Sequence, residues 1–431
     1  MKMRVVIALN FVLLVLVIGI AVQCFAYGRD ITAVSQKEDE NAVTAYPLDR
    51  DAVVCASESL LFCNAVGGSG NETLIDAFCV NEYIYLFGNS DKCDGDLVAL
   101  SSRSFMAKLS LDLKILSLFA VPDGLTSVSL CEGGFLCMSN GEKSTVLTVY
   151  SFEGEKLRSR ELITQGATDT PKLFSTDNFF TIVHTVKTSK TGKNQLLVRQ
   201  FNSDLNLINE QSVCSQYSLS PLNCYYLNGE THLFCKAESD LVKCVFYAKI
   251  NGSSVSVFYA NENSFYSCFD VLPHEKGWAI VFSNESKSGV FLCDFEGKTL
   301  DTLAVSSPSK YACVKFMGSC FYLLLNFEEK SELYACDIAF SSARKLDFSC
   351  SQLLSSIITN ESAICLCSLP YGLSVQGVDD SLSLSIAGSF SDGKLLNYGD
   401  SYYLVSTSLK KEGDVAFSLG NSDIFLAKLN I

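Results

Sequence analysis

Short apolar runs, each broken by a turn containing Gly, Asn or Asp, recur along most of the chain. One block can be followed throughout: FMAKLSLDLKIL from Phe105, TVYSFEGEKL from Thr148, LVRQFNSDLNL from Leu197, FYAKINGSSVSV from Phe246, FLCDFEGKTL from Phe291, YACDIAFSSARKL from Tyr334, SVQGVDDSLSL from Ser374 and FLAKLNI from Phe425. Its starts advance by 43, 49, 49, 45, 43, 40 and 51 residues, a period of about 46. Each block reads as two strands joined by a tight turn, the signal of a β-hairpin. A second hairpin precedes most blocks, at 128–140, 174–186, 225–237, 269–284, 314–326 and 396–408. Two hairpins per unit make a four-stranded antiparallel sheet. Such a sheet cannot bury both apolar faces alone, so successive units must stack on one another. The pattern therefore predicts an all-β fold, a β-propeller of seven or eight four-stranded blades.

The last unit supplies three strands and stops. The missing strand is expected from the other end, where DAVVCASESLLFCNAV at 51–66 carries strand-like runs before the first full unit. Closure of that kind joins the two ends of the domain and removes an exposed sheet edge. The phrase GNSD occurs at 88–91 and again at 420–423, in both copies where a second strand ends and a third is about to begin. In the first copy a twelve-residue insertion, Lys92 to Arg103, separates it from the next strand.

On these residues the chain is similar to a known group. GNSDIFLAKLNI resembles the Gly-x-Ser-Asp-(aromatic or aliphatic)-x-Ala-Lys-Leu phrase of propeller repeats in bacterial secreted and cell-surface proteins, and GWAIVFSN with GVFLCDFEGKTL is similar to a blade of the same family. The resemblance implies a propeller, but no activity, because the family is defined by architecture. A WD-repeat reading needs recurring Trp-Asp, and the one tryptophan, Trp278, is followed by Ala. No copy of a sialidase-type Asp box is present either.

The segment Val5 to Ala26 is apolar except for Asn10 and Gln23, and Lys2 and Arg4 precede it. At 1.5 Å per residue it spans roughly 33 Å, enough for a hydrocarbon core. The expected organisation is a membrane anchor at 1–26, a polar linker at 27–50 and the propeller at 51–431. The domain should lie outside the cytoplasm, attached to the cell membrane by residues 5–26 alone, or be secreted if that segment is cleaved as a signal peptide.

Forty-seven acidic against 33 basic residues give a formal charge of −14, which disfavours binding to nucleic acid. Nineteen cysteines would suggest disulfides in an exported protein. Their positions argue otherwise. Ala107, Ala248, Cys293, Cys336 and Ala427 share one column of the repeat, so Cys there answers a demand for a small apolar side chain. Most thiols are expected to be free and buried, with Cys55 and Cys63, Cys131 and Cys137, or Cys214 and Cys224 as local pairs that could oxidise.

Candidate chemistry is sparse. The insertion GNSDKCDGD offers Asn89, Asp91, Asp94 and Asp96, oxygen donors of the type calcium prefers, but the EF-hand spacing fails. These acids are candidate ligand contacts, and no cofactor other than calcium is suggested. Trp278 is a candidate platform for stacking a sugar. His184, His232 and His274 fall in consecutive units at different depths and are not expected to share a metal. No Gly-x-Ser-x-Gly nucleophile turn exists. The expectation is a binding or interaction module with a protein or glycan partner; the alternative is a propeller hydrolase or lyase acting on glycans.

Overall fold

The computed structural model describes residues 45–430 except 55–59, 142–143, 165–166, 168–169, 177–178, 188–193, 240–241, 253, 261–266, 307, 318–319, 328–330, 338, 347–351, 359–362, 378–381 and 411–420. The expected anchor at 5–26 and most of the linker lie outside the described residues. Among the described residues no helix is long and apolar enough to cross a membrane.

The described chain forms eight antiparallel sheets, the blades of a β-propeller. Blade 1 contains strands Glu72–Val80, Tyr83–Ser90, Ser104–Ser110 and Ile115–Val121. Blades 2 to 7 follow with the same simple order, their first strands being Leu125–Cys131, Lys172–Ser175, Ser218–Leu227, Ser267–His274, Tyr311–Met317 and Gln352–Ile358. First strands of neighbouring blades lie against one another from blade 1 to blade 6, Gln352–Ile358 of blade 7 meets Lys394–Tyr398 of blade 8, and that strand meets Glu72–Val80 of blade 1, which joins the last blade to the first.

Blade 8 is assembled from both ends of the domain. Ser401–Lys410 pairs with Asp423–Leu429, which pairs in turn with Leu60–Val66, and Val53–Val54 lies outermost. Cys63 stands opposite Ala427, and Ala65 opposite Phe425. The N-terminal strand thus supplies the place the repeat left empty. Residues Ala45–Arg50, placed in the linker by sequence, add a fifth strand to the outer edge of blade 1 by pairing with Ile115–Val121.

The core is a ring of inter-blade layers. In the second strand of blade 1, Tyr85 and Phe87 pack with Leu125 and Phe135 of blade 2, while Ile84 and Leu86 pack with Val405 and Leu426 of blade 8. Alternate side chains leave opposite faces of a strand. Both faces are covered, which is why the middle strands read as continuous apolar runs. The small-residue column is buried as expected: Ala107, Ala248 and Ala427 are 0 % exposed, Cys293 and Cys336 1 %. Cys293 stands opposite Trp278 and Cys336 opposite Phe321, so a large neighbour across the strand pair leaves room only for a small side chain.

Candidate functional site

Two places on the ring combine polar groups with unusual surroundings: the seam between blades 1 and 8, and a groove between blades 3 and 4.

At the seam the twin phrases converge on Glu72. Ser90 ends the second strand of blade 1, and its Oγ–H donates to Glu72 Oε1 at 2.6 Å. Ser422 stands just before the third strand of blade 8; its carbonyl accepts the Glu72 N–H at 3.2 Å, and its Oγ–H donates to the Glu72 carbonyl at 2.9 Å. The two copies therefore occupy different sides of the loop between second and third strands, and they meet because their blades are neighbours. Asp423 opens the third strand and is buried. Gly67 covers this point closely. A Cβ on it would lie 2.0 Å from Asp423 Oδ1 and 2.9 Å from Glu72 Oε2, so the two carboxylates converge beneath it. Glu72 is fully buried, and its Oε2 has no hydrogen-bond partner among the described residues. Burial pushes its carboxyl up to about 7, against the opposing Ser90 bond and helped by repulsion from Asp423 and Asp91.

The insertion folds down onto this seam. Asp91 accepts the Asn71 N–H at 2.8 Å and its amide at 2.6 Å. Asp94 accepts the Ser69 N–H at 2.6 Å and also the Ser69 hydroxyl. Asp96 accepts the Gly67 N–H at 3.1 Å, and its own N–H donates to Gly67 O at 2.9 Å. The Asn71 N–H holds Asp91 below the usual carboxylate range; the Ser69 hydroxyl and N–H do the same for Asp94. The three acids that sequence singled out as ligand contacts thus bind alternate residues, Asn71, Ser69 and Gly67, of the segment connecting blade 8 to blade 1. Among the described residues no group of three or more His, Cys, Asp or Glu side chains is placed to hold a metal ion.

Trp278 requires a correction. It is 0 % exposed, packed between blades 4 and 5 against Phe234 at 4.7 Å, His232 at 5.0 Å and Tyr225 at 5.5 Å between ring centres. Protein covers the ring, and no face is left for a ligand. The histidines are dispersed, as expected. His184 Nε2 lies 3.3 Å from Thr145 Oγ1, and burial lowers its pKa to about 4. His232 Nδ1 lies 2.6 Å from the Tyr247 hydroxyl, and His274 Nδ1 accepts the Lys276 N–H at 3.2 Å. Cys131, Cys137, Cys214 and Cys224 are free thiols, so neither of those pairs is bridged, and Cys55 of the remaining pair lies outside the described residues. Burial raises Cys79 and Cys131 to about 11 and Cys224, Cys293 and Cys336 to about 12. At neutral pH such groups are protonated and unreactive.

The groove was not visible in the sequence. It has a volume of about 420 Å³ and is lined by residues of three strands of blade 3 and by strand ends and turns of blade 4, including Phe179, Gln200, Ile208, Asn209, Tyr226 and Thr231. None of its lining residues carries a charge. The Asn228-Gly229 turn at its edge has φ of 54° and 82°. Left-handed geometry at both positions is the hairpin turn for which Asn-Gly is suited.

No family model matches the chain, and no curated protein matches it. Among solved structures it is similar to the Dos1 propeller, with a TM-score of 0.50 at 10 % identity over 85 % of this chain and 93 % of that one. It is also similar to the β-propeller domain of the Trilobed protease from Pyrococcus furiosus, described as having an open velcro topology, with a TM-score of 0.46 at 10 % identity over 74 % and 96 % of the two chains. At such identity the likeness to the Dos1 propeller concerns the fold alone.

Proposed function

We propose that this protein is a non-catalytic binding propeller, held outside the cytoplasm by its apolar segment at residues 5–26. The observation that carries the binding reading is the contrast between the two places described above. The seam acids bind backbone and neighbouring polar side chains, and the groups whose protonation is shifted by burial, Glu72, His184 and the buried thiols, sit between blades and not in the groove. The open concavity is chemically quiet: amides, hydroxyls and aromatic rings, suited to hold a ligand rather than to transfer its protons. Its loops belong to a rigid ring, the arrangement in which propellers present binding surfaces.

The test is to incubate the purified domain with a panel of oligosaccharides and peptides, measuring retention and analysing the supernatant for cleavage products. Binding without products is the expected result. Steady release of shortened glycans or of unsaturated ends would replace this reading with that of a glycan hydrolase or lyase.

A further inference from the structure

The geometry points to the groove between blades 3 and 4 as a subsite for a neutral sugar ring; this deepens, and rests on, the binding reading.

The floor of the groove is a built polar contact. Gln200 Nε2–H donates to Thr231 Oγ1 at 2.6 Å across the blade boundary, and the two side chains are 8 % and 2 % exposed. Above it stands Tyr226, 36 % exposed, with Phe179 tilted against it at 4.8 Å between ring centres. Phe179 limits the freedom of the tyrosine ring, so a partly open aromatic face is held in place. Ile208, 52 % exposed, adds an aliphatic surface. Asn209 is fixed as well: its amide donates to the Gly252 carbonyl at 2.9 Å, and its Oδ1 accepts from Gln211 at 3.2 Å.

Each feature removes a class of ligand. An ion entering the groove would lose hydration and find no counter-charge, which is costly. The charges beside the lining residues are paired: Glu230 with Lys249 at 2.9 Å on blade 4, where Lys249 also reaches toward Glu296 of blade 5, and Arg199 with Glu210 at 2.6 Å on blade 3. Anions are further opposed by the −14 formal charge of the chain. A wholly apolar ligand would strip water from the second N–H and the remaining lone pairs of the Gln200 and Asn209 amides and give nothing in return. What satisfies both halves of the lining is a ring with an apolar face of C–H bonds and a rim of hydroxyls. The negative face of an aromatic ring attracts the weakly positive hydrogens of such a C–H face. A volume of about 420 Å³ lies within the usual range of small-ligand sites.

The probes are neutral and uronic-acid oligosaccharides on an array, followed by titration calorimetry and saturation-transfer NMR of those retained. Neutral sugars should bind, with little dependence on salt, and the sugar C–H protons should receive saturation from the protein. Tyr226→Ala should weaken binding about tenfold or more, Tyr226→Phe should retain most of it, and neither should move the unfolding temperature appreciably. Neutral-sugar binding that survives both Tyr226→Ala and Asn209→Ala would overturn the site while leaving the binding reading intact. Tyr226-dependent capture of an apolar peptide in place of sugars would likewise overturn the sugar assignment alone. Retention only of uronic acids, with strong salt dependence, or of no oligosaccharide at all, would overturn it too. Cleavage of the probes would instead remove the parent reading.

Discussion

Glu72 Oε2 and Asp423 Oδ1 converge beneath Gly67, on opposite sides of the seam that closes the ring. Burial keeps Glu72 protonated up to about pH 7, and repulsion from the neighbouring Asp423 adds to it. Between pH 4.5 and about 7 the folded chain holds a proton here that the unfolded chain has released. Stability must therefore fall as pH rises through this window. At about 1.4 kcal/mol per tenfold change in proton affinity, the full effect is about 3 kcal/mol. Glu72→Gln, whose amide mimics the protonated acid, should remove it. Urea titrations of both proteins at several pH values should show the variant gaining about that much on the wild type between pH 4.5 and about 8. A pH-independent difference would contradict the assignment. His184 acts in the other direction: lowered to about 4, it costs stability as pH falls from 6.5, in both proteins alike.

Gly67→Ala tests the same contact sterically. The added Cβ would stand 2.0 Å from Asp423 Oδ1 and 2.9 Å from Glu72 Oε2. Relief requires moving buried carboxylates, and a loss of about 1–3 kcal/mol is expected in chemical denaturation.

The insertion should come loose without unfolding the ring. Asp94→Ala removes the acceptor for the Ser69 N–H and hydroxyl. Lys92 and Arg103, both exposed, bracket the loop. Trypsin should cut there faster in the variant, with the global unfolding temperature little changed; equal cleavage rates would show that Asp94 does not hold the loop.

Removal of residues 45–66 should be far more damaging than the size of the segment suggests, because it takes the outer strands from blade 8 and the fifth strand from blade 1. The truncated protein should lose cooperative unfolding and aggregate through the exposed edge of Asp423–Leu429, detectable by calorimetry and light scattering.

Thiol labelling should follow exposure. Cys93 and Cys214 are exposed and should react with an alkylating reagent in the native protein, whereas Cys137, Cys235 and Cys268 should react only on unfolding. Mass spectrometry reads the order directly. Early modification of Cys235 would show that the layer between blades 3 and 4 opens.

Much of the architecture could be read from residue order because a propeller blade repeats locally. Third-strand blocks such as FMAKL and FLAKL carry the period, and the unit left one strand short at the C-terminus pointed to residues 51–66. The blade number stayed open at seven or eight because the first hairpin of blade 7, built on Gln352–Ile358 and Ala363–Leu369, was not picked out among the repeats. The site was far less legible. Asp91, Asp94 and Asp96 stood out as acids in a loop, but their partners at Gly67, Ser69 and Asn71 are approached only through the fold. Glu72 resembled any acid at the start of a strand until Ser90 and Ser422 were brought to it. Trp278 misled because its neighbours Tyr225, Phe234 and His232 come from another blade. Tyr226 and Phe179 are separated along the chain and drew no notice apart.

The pairing of Leu60–Val66 with Asp423–Leu429 also governs the order of events in biosynthesis. Leu60–Val66 must wait for a partner strand from the far end of the domain. Until then, blades 1 and 8 each lack a neighbour, and an unsatisfied strand edge persists. A folding pathway with so distant a final contact is expected to be slow at its last step.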